Sequence, residues 1–196
     1  METVSERKAE LLQAAAALFG RQGYHGTTVR DVARELDLQG GSLYAHIKTK
    51  EDLLWAIIDD VAAKFQRAAD LVPAGVGPRD RLAGLIAAHL TTVAEELPFA
   101  TVFFSEWACL GGERLAAISA RRDKYEALFR RTIELGAKQG VFKVESPKLA
   151  AIYVLSVLNW SHQWFKPGAS LSIADVARQF TALTLRALGA RAPAAR

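Results

Sequence analysis

Cysteine is almost absent from this chain, since Cys109 is the only one among 196 residues. A single thiol cannot form an internal disulfide, and this scarcity is typical of a reducing compartment. The first ten residues are polar and include Glu2, Glu6 and Glu10, so we expect no secretory signal there. The longest strongly apolar stretch, residues 149–160, is too short to span a bilayer. We therefore expect a cytoplasmic protein without a membrane partner.

A large excess of one charge is also missing. The formal net charge is +4 and the pI about 9.3, values that permit nucleic-acid binding without requiring it. Charged residues make up 23% and apolar residues 51%, as in a globular protein.

Sequence signatures of catalysis are missing as well. We find no nucleophile elbow, no phosphate-binding loop and no clustered metal ligands, and the four histidines are scattered. Cys109 is most simply a small buried residue. We expect no enzyme, no catalytic residues, no metal and no cofactor other than a small-molecule effector.

What the chain does have is helical periodicity along nearly its whole length. Apolar residues recur at steps of three, four and seven from Leu11 to Phe19 and from Leu53 to Phe65. Reciprocal cap pairs are expected at Thr28 with Asp31 and at Thr49 with Asp52, and Ser172 with Asp175 is expected to cap the last helix. No stretch alternates like a strand. The sequence predicts an all-α fold of about nine helices, with a three-helix domain at 1–50, a larger helical domain at 51–190 and a frayed tail at 191–196.

Residues 23–54 have the pattern of a helix-turn-helix. Val29, Val32 and Leu36 give the first helix an apolar face, while Leu43 and Ile47 anchor the second helix by one side. Such a unit offers its second helix to the major groove. No acidic residue lies from 39 to 50, which suits a polyanion.

Individual side chains of this segment suggest roles on DNA. Gln39 and Ser42 are candidates for base edges, and the glycines at 40 and 41 allow close approach of the backbone. The candidates for phosphate contacts are Tyr44, His46, Lys48 and Lys50. Two alternatives stay open: Tyr44 as a packed core aromatic, and both lysines as part of a solvated turn.

The ordered combination of these residues resembles the tetracycline-repressor (TetR) family. The match runs over roughly residues 5–60 and comprises Gly23-Tyr24, Thr27-Thr28, Asp31-Val32-Ala33, Gly41-Ser42-Leu43-Tyr44, His46, Lys50 and Leu53-Leu54. Asp37 departs from the family, which often has glycine in the turn, and Gln39 or Gly40 stands where serine is common. The resemblance implies that the DNA surface is formed by Thr28, Arg30, Gln39, Gly40, Gly41, Ser42, Tyr44, His46 and Lys50.

The second predicted domain resembles the ligand-binding and dimerisation domain of the same family. Its helix at 149–160 is apolar nearly all round and must be buried on more than one side. Pairing the last two helices of each subunit would form a four-helix interface and a homodimer. Burial wholly within the monomer is the alternative. A two-fold dimer predicts a near-palindromic operator.

An aromatic set in this domain is a candidate effector pocket with a few polar anchors. It comprises His89, Phe103, Phe104, Trp107, Tyr125, Phe129, Asn159, Trp160, Gln163 and Trp164. Each aromatic alone is more simply a core residue, but the set predicts a largely apolar ligand.

The chain also has a narrower resemblance to TetR regulators of fatty-acid and steroid breakdown. This resemblance rests on residues 158–172, 179–180 and 121–130. It implies an acyl-coenzyme A (acyl-CoA) thioester as the effector. Arg121, Arg122 and Arg130 then have two interpretations, contacts to coenzyme A phosphates or a solvated helix face paired with Glu126 and Glu134.

These patterns together favour a sequence-specific transcriptional regulator, in the family's usual mode a repressor released by its ligand. We expect the helix at 49–69 to tilt on ligand binding and to change the separation of the two recognition helices. A ligand-independent architectural DNA binder and a helical enzyme are the alternatives. The architectural binder would need widely spread basic charge and no sizeable pocket.

Overall fold

The structure is a computed structural model that describes residues 4–36 and 49–190, with side chains from residue 7 onward. The predicted turn and recognition helix, residues 37–48, and the predicted tail, residues 191–196, lie outside this range. All regular elements within it are helical, which confirms the all-α prediction. The nine α-helices of this part of the chain are α1 (Val4–Gln22), α2 (Val29–Glu35), α3 (Lys50–Asp70), α4 (Pro78–Glu95), α5 (Leu97–Glu106), α6 (Gly112–Lys138), α7 (Pro147–Asn159), α8 (Ser161–Trp164) and α9 (Ile173–Ala187).

The helix starts follow the predicted capping chemistry. At α2 the Thr28 hydroxyl accepts from the backbone N–H of Asp31, and the Asp31 carboxylate accepts from the backbone N–H of Thr28. Thr49 and Asp52 form the same reciprocal pair before α3. Ser172 caps α9 by accepting from the N–H of Asp175. Each cap satisfies backbone N–H groups that a helix start would otherwise leave unpaired.

The first compact unit comprises residues 1–63 and 96–120. Within it α5 packs along α1, and α2 packs against α1. A short 3₁₀ helix, Trp107–Cys109, connects α5 to α6. The buried apolar side chains include Leu18, Phe19, Val32, Leu53, Leu54, Ile57, Ala100 and Phe103.

The second compact unit comprises residues 64–95 and 121–196. Within it α4 packs along α9 and also contacts α7 and α8. Gly136 allows a close approach here, because a Cβ atom at this position would lie 2.2 Å from the buried ring of Phe142. The core includes Leu82, Leu85, Ile86, Leu90, Phe129, Ile133, Phe142, Val154, Leu158, Val176 and Leu185.

The compact units interleave along the sequence, whereas the predicted functional division at residue 50 is linear. Residues 96–120 belong to the unit that contains α1 and α2, because α5 packs on α1. The linear division into a DNA-binding and a ligand-binding domain stays a prediction about function.

Candidate functional site

The turn between α1 and α2 places the first candidate DNA contacts. Gly23 ends α1 with φ of +76°, a conformation that favours glycine. Tyr24 is buried against Phe19, with ring centroids 5.4 Å apart. Thr27 is fully buried and its hydroxyl donates to the carbonyl oxygen of Gly23 at 3.0 Å. Thr28 then emerges at the surface, as the cap of α2.

Three of the predicted DNA-contacting residues lie in the described range. Thr28 and Arg30 are exposed, as a DNA contact requires. Lys50 is partly buried, and its ammonium group donates to the carbonyl oxygens of Tyr24 at 3.0 Å and Thr27 at 3.1 Å. The predicted contacts that lie outside the described residues are Gln39, Gly40, Gly41, Ser42, Tyr44, His46 and Lys48. All ten assignments stay predictions.

Lys50 therefore has a structural role that the sequence did not suggest. Its Nζ also lies 4.2 Å from the centroid of the Tyr24 ring, a cation–π distance. Burial, and next the charge of Glu51, raise the pKa of the Tyr24 phenol. These contacts join residues more than 20 positions apart, so no local sequence pattern indicates them.

An ion-pair cluster connects the first turn of α3 to the start of α6. The Arg114 guanidinium donates to the Asp52 carboxylate at 2.6 Å and lies 3.7 Å from a carboxylate oxygen of Glu51. The hydrogen bond from Arg114, together with that from Thr49, lowers the pKa of Asp52. The backbone N–H of Gly111 donates to Glu51 at 3.4 Å. Arg114 and Asp52 are 62 positions apart, so no local sequence pattern indicates this cluster.

Cys109 is only partly buried, not fully buried as the sequence suggested, and it lies beside two polar side chains of the same compact unit. Its Sγ is 3.5 Å from Nε2 of His25 and 3.5 Å from a carboxylate oxygen of Glu106. Burial, followed by the contact with Glu106, raises the pKa of this thiol, which disfavours the reactive thiolate. In the part of the chain that the structure describes, no three His, Cys, Asp or Glu side chains are placed to hold a metal ion.

A buried polar pair forms the centre of the second candidate site. His89 is 1% exposed, and its Nδ1 lies 3.2 Å from the hydroxyl of Tyr125. Three of the predicted effector residues are brought together here, because the His89 ring also lies 6.5 Å from that of Phe129. Phe65, which the sequence analysis did not select, lies 4.9 Å from His89 and 5.9 Å from Tyr125, between ring centroids.

Burial keeps both members of this pair neutral. It lowers the pKa of His89 to about 3 and raises the pKa of Tyr125. A neutral imidazole and a neutral phenol each offer one donor and one acceptor. The pair therefore suits an uncharged hydrogen-bonding group, such as a carbonyl or hydroxyl, on an otherwise apolar ligand.

The other seven predicted effector residues lie on α5, on the 3₁₀ helix, on α7 and α8, and at the junction between those two last helices. Phe103, Phe104 and Trp107 belong to α5 and the 3₁₀ helix of the first compact unit. Gln163 and Trp160 are exposed, Trp160 to 62%. Asn159 is partly buried, and Trp164 packs on Phe180 with ring centroids 5.7 Å apart. Ligand contact by these seven side chains stays a prediction.

One face of α7 exposes an apolar stripe. Leu149, Ile152, Tyr153, Val157 and Trp160 recur at helical spacing and are between 38% and 66% exposed. The opposite face carries Ala151, Val154 and Leu158, which are buried in the core. Large apolar side chains grouped on a surface mark a site of protein association.

Two family models match this chain. One, described as bacterial regulatory proteins of the tetR family, matches residues 11–57. The other, described as the tetracyclin repressor-like C-terminal domain, matches residues 75–188, which is more than half of the chain. The chain belongs to the tetR family of bacterial regulatory proteins.

Relatives of this tetR-family regulator match over nearly its full length. The HTH-type transcriptional repressor KstR2 of Rhodococcus jostii is 29% identical over 190 residues, 94% of this chain and 92% of the relative. A solved tetR-family regulator from Rhodococcus RHA1 is 30% identical with a TM-score of 0.86, covering 94% of this chain and 97% of that one. The solved complex of AibR with isovaleryl coenzyme A and operator DNA is 28% identical with a TM-score of 0.81, covering 91% and 97%.

Among the described helices of the regulator, none has the length and apolarity that a membrane crossing requires.

Proposed function

We propose that this tetR-family protein is a dimeric transcriptional repressor that binds a near-palindromic operator and is released by a largely apolar effector. The observation that carries the proposal is the match to both family models, in register with the predicted helix-turn-helix, whose first helix, α2, is capped at Thr28. The relative KstR2 is named a repressor, and the AibR complex contains operator DNA. A protein with this activity works where the chromosome is, in the cytoplasm, and needs no catalytic residues.

The DNA interface is proposed on α2 and the segment that follows it. Thr28 and Arg30 are exposed at the start of α2, where a helix N-terminus meets a phosphate favourably. Base contacts are assigned to Gln39 and Ser42, and the remaining phosphate contacts to Tyr44, His46 and Lys48.

The dimer interface is proposed on the exposed apolar stripe of α7. Burying Tyr153, Val157 and Trp160 against a second copy removes large apolar side chains from water, at about 25 cal/mol per Å² of apolar area. A two-fold dimer sets the two recognition helices about 34–36 Å apart, or a multiple of that distance, along the DNA.

The effector site is proposed around His89, Tyr125 and Phe129, with an acyl-CoA thioester as the ligand class. The aromatic surroundings suit an acyl chain, and the neutral His89–Tyr125 pair suits its thioester carbonyl. The complex of AibR with isovaleryl coenzyme A supports this class. Helix α3 carries both Phe65, beside this pair, and Lys50, beside the α1–α2 turn, so one continuous helix links the two proposed sites.

Operator binding tests the proposal directly. Genomic fragments bound by the purified protein are selected, and affinity for the recovered site is measured with and without saturating isovaleryl coenzyme A and longer acyl-CoA thioesters. We expect one near-palindromic footprint and a loss of affinity of about 5- to 150-fold, the usual range of allosteric coupling. Affinity that no thioester changes rejects this effector class. Binding without sequence preference indicates an architectural DNA binder instead.

Substitutions test the assigned contacts. Tyr44→Ala is expected to weaken binding to every sequence, whereas Gln39→Ala relaxes specificity at one base pair. Ser170→Ala, in the exposed loop before α9, is the matched control. If both substitutions leave operator binding equal to that of the control, the assignment of these contacts is wrong.

A further inference from the structure

The α1–α2 turn leads directly into α2, so the position of this turn decides where Thr28 and Arg30 lie. Only three residues separate the buried ring of Tyr24 from the exposed cap residue Thr28. The Lys50 ammonium lies against the turn and donates to two of its carbonyl oxygens, those of Tyr24 and Thr27. Lys50 is the first residue of α3, so the turn is bound to the start of that helix.

The start of α3 is in turn held by Arg114. The guanidinium engages both carboxylates that follow Lys50, Asp52 at 2.6 Å and Glu51 at 3.7 Å. The Arg114 side chain is 35% exposed and that of Asp52 29%, so the pair is only partly screened by water. Glu51 also accepts from the backbone N–H of Gly111, immediately before α6. The contacts therefore run from α6 through α3 to the turn, inside one compact unit.

A second contact reaches the same turn from the end of α5. Cys109 touches the His25 ring, and a Cβ at Gly23 would meet the Glu106 carboxylate at 3.8 Å. The turn is thus held both by α3 and by the segment that precedes α6. That segment runs directly into the first turn of α6, which carries Arg114. Both sets of contacts therefore connect the start of α6 to the turn that precedes α2.

We propose that Arg114 is a positioning residue for DNA binding, which acts through Asp52, Glu51 and Lys50 on the α1–α2 turn and on α2. Arg114 touches no DNA in this scheme. Its role is to reduce local opening of the residues that do, so that fewer conformations must be excluded on binding. The expected effect on operator binding rests on the proposed function, whereas the expected effect on local opening in the free protein does not.

Amide hydrogen exchange on the full-length protein without DNA tests the structural half of the proposal. Arg114→Gln is expected to raise the exchange rates of residues 24–34 roughly fivefold, the factor that corresponds to a partly exposed ion pair, while α4 and α9 stay unchanged. Arg114→Lys keeps the charge and recovers part of the protection, since it can still reach Asp52. Molar salt brings the wild type towards Arg114→Gln in this segment, because salt screens the pair.

Arg130→Gln is the matched control. Arg130 lies on the same helix, is 36% exposed and pairs with Glu126 at 3.4 Å, so its loss removes a comparable ion pair outside the proposed path. Equal exchange in Arg114→Gln and Arg130→Gln over residues 24–34 overturns the proposal. So does a rise that is uniform over all helices, since that indicates general destabilisation.

Operator affinity tests the functional half. Arg114→Gln is expected to weaken operator binding roughly fivefold relative to Arg130→Gln, with Arg114→Lys in between. Altered exchange with unchanged affinity overturns the role in DNA binding. A wild-type protein that binds no DNA refutes the proposed function, and the exchange experiment still decides whether Arg114 positions the turn.

Discussion

Acidification is expected to destabilise the folded protein through His89. In the unfolded chain this imidazole titrates near its ordinary pKa of 6.5, whereas burial lowers its pKa in the folded protein to about 3. Between these two values the unfolded state binds a proton that the folded state does not. The contribution of the neutral His89 to the free energy of unfolding is therefore fully present above the unfolded-state pKa, and it is lost as the pH falls towards the folded-state pKa.

The magnitude follows from the two pKa values. Going from about pH 7 to about pH 5, the unfolded chain becomes almost fully protonated at His89 while the folded chain stays neutral, which lowers the free energy of unfolding by about 2 kcal/mol. Carboxylates with lowered pKa, such as Asp31 and Asp52, also contribute on acidification, but they do so equally in variants at position 89.

Urea unfolding of wild type and His89→Gln at the two pH values, at one protein concentration, measures this difference. Glutamine keeps a hydrogen-bonding partner for Tyr125 but does not titrate, so the variant should lose about 2 kcal/mol less than the wild type on acidification. If wild type and His89→Gln lose the same stability, the argument from burial is wrong.

Three further predictions concern packing, capping and association. Gly136→Ala should lower the free energy of unfolding by about 1–3 kcal/mol, because the added Cβ overlaps the buried Phe142 ring. Gly75→Ala is the control and should change the free energy of unfolding little, because a Cβ there has no neighbouring atom within 4 Å. Thermal unfolding compares the two variants. Ser172→Ala should cost about 1 kcal/mol by removing the cap of α9, measured by urea unfolding, and an unchanged midpoint would contradict the cap's contribution. Trp160→Arg should shift the protein towards monomers in sedimentation velocity, and a variant that stays dimeric would place the interface elsewhere.

Local chemistry explains why much of the helical framework could be predicted. The cap pairs at Thr28, Thr49 and Ser172 each depend on residues three positions apart, and all three form as expected. Pro78 and Pro147 begin α4 and α7, where a missing N–H costs nothing. The packing of residues 96–120 could not be predicted in this way, because nothing in their sequence shows that α5 packs on α1.

The residues of the candidate effector site could likewise be predicted only in part. Three of the predicted effector residues, His89, Tyr125 and Phe129, meet in the structure because each is a large side chain on the core face of its helix. Trp160 is also an aromatic residue at helical spacing, yet it is exposed directly after α7. Aromatic content identifies side chains that must be buried by something, but it does not distinguish the chain's own core from the surface of a second copy.

The order of residues along this chain was sufficient to determine its helical class, its capping boxes and its family, since each rests on contacts within a few residues or on a linear motif. Tertiary structure alone decided that Lys50 binds the α1–α2 turn and that Arg114 holds the start of α3, because these partners are brought together only when distant helices pack. It also decided which face of α7 is left exposed. The physical reason is that local hydrogen bonds depend on sequence spacing, whereas burial and long-range ion pairs depend on the arrangement of the whole compact unit.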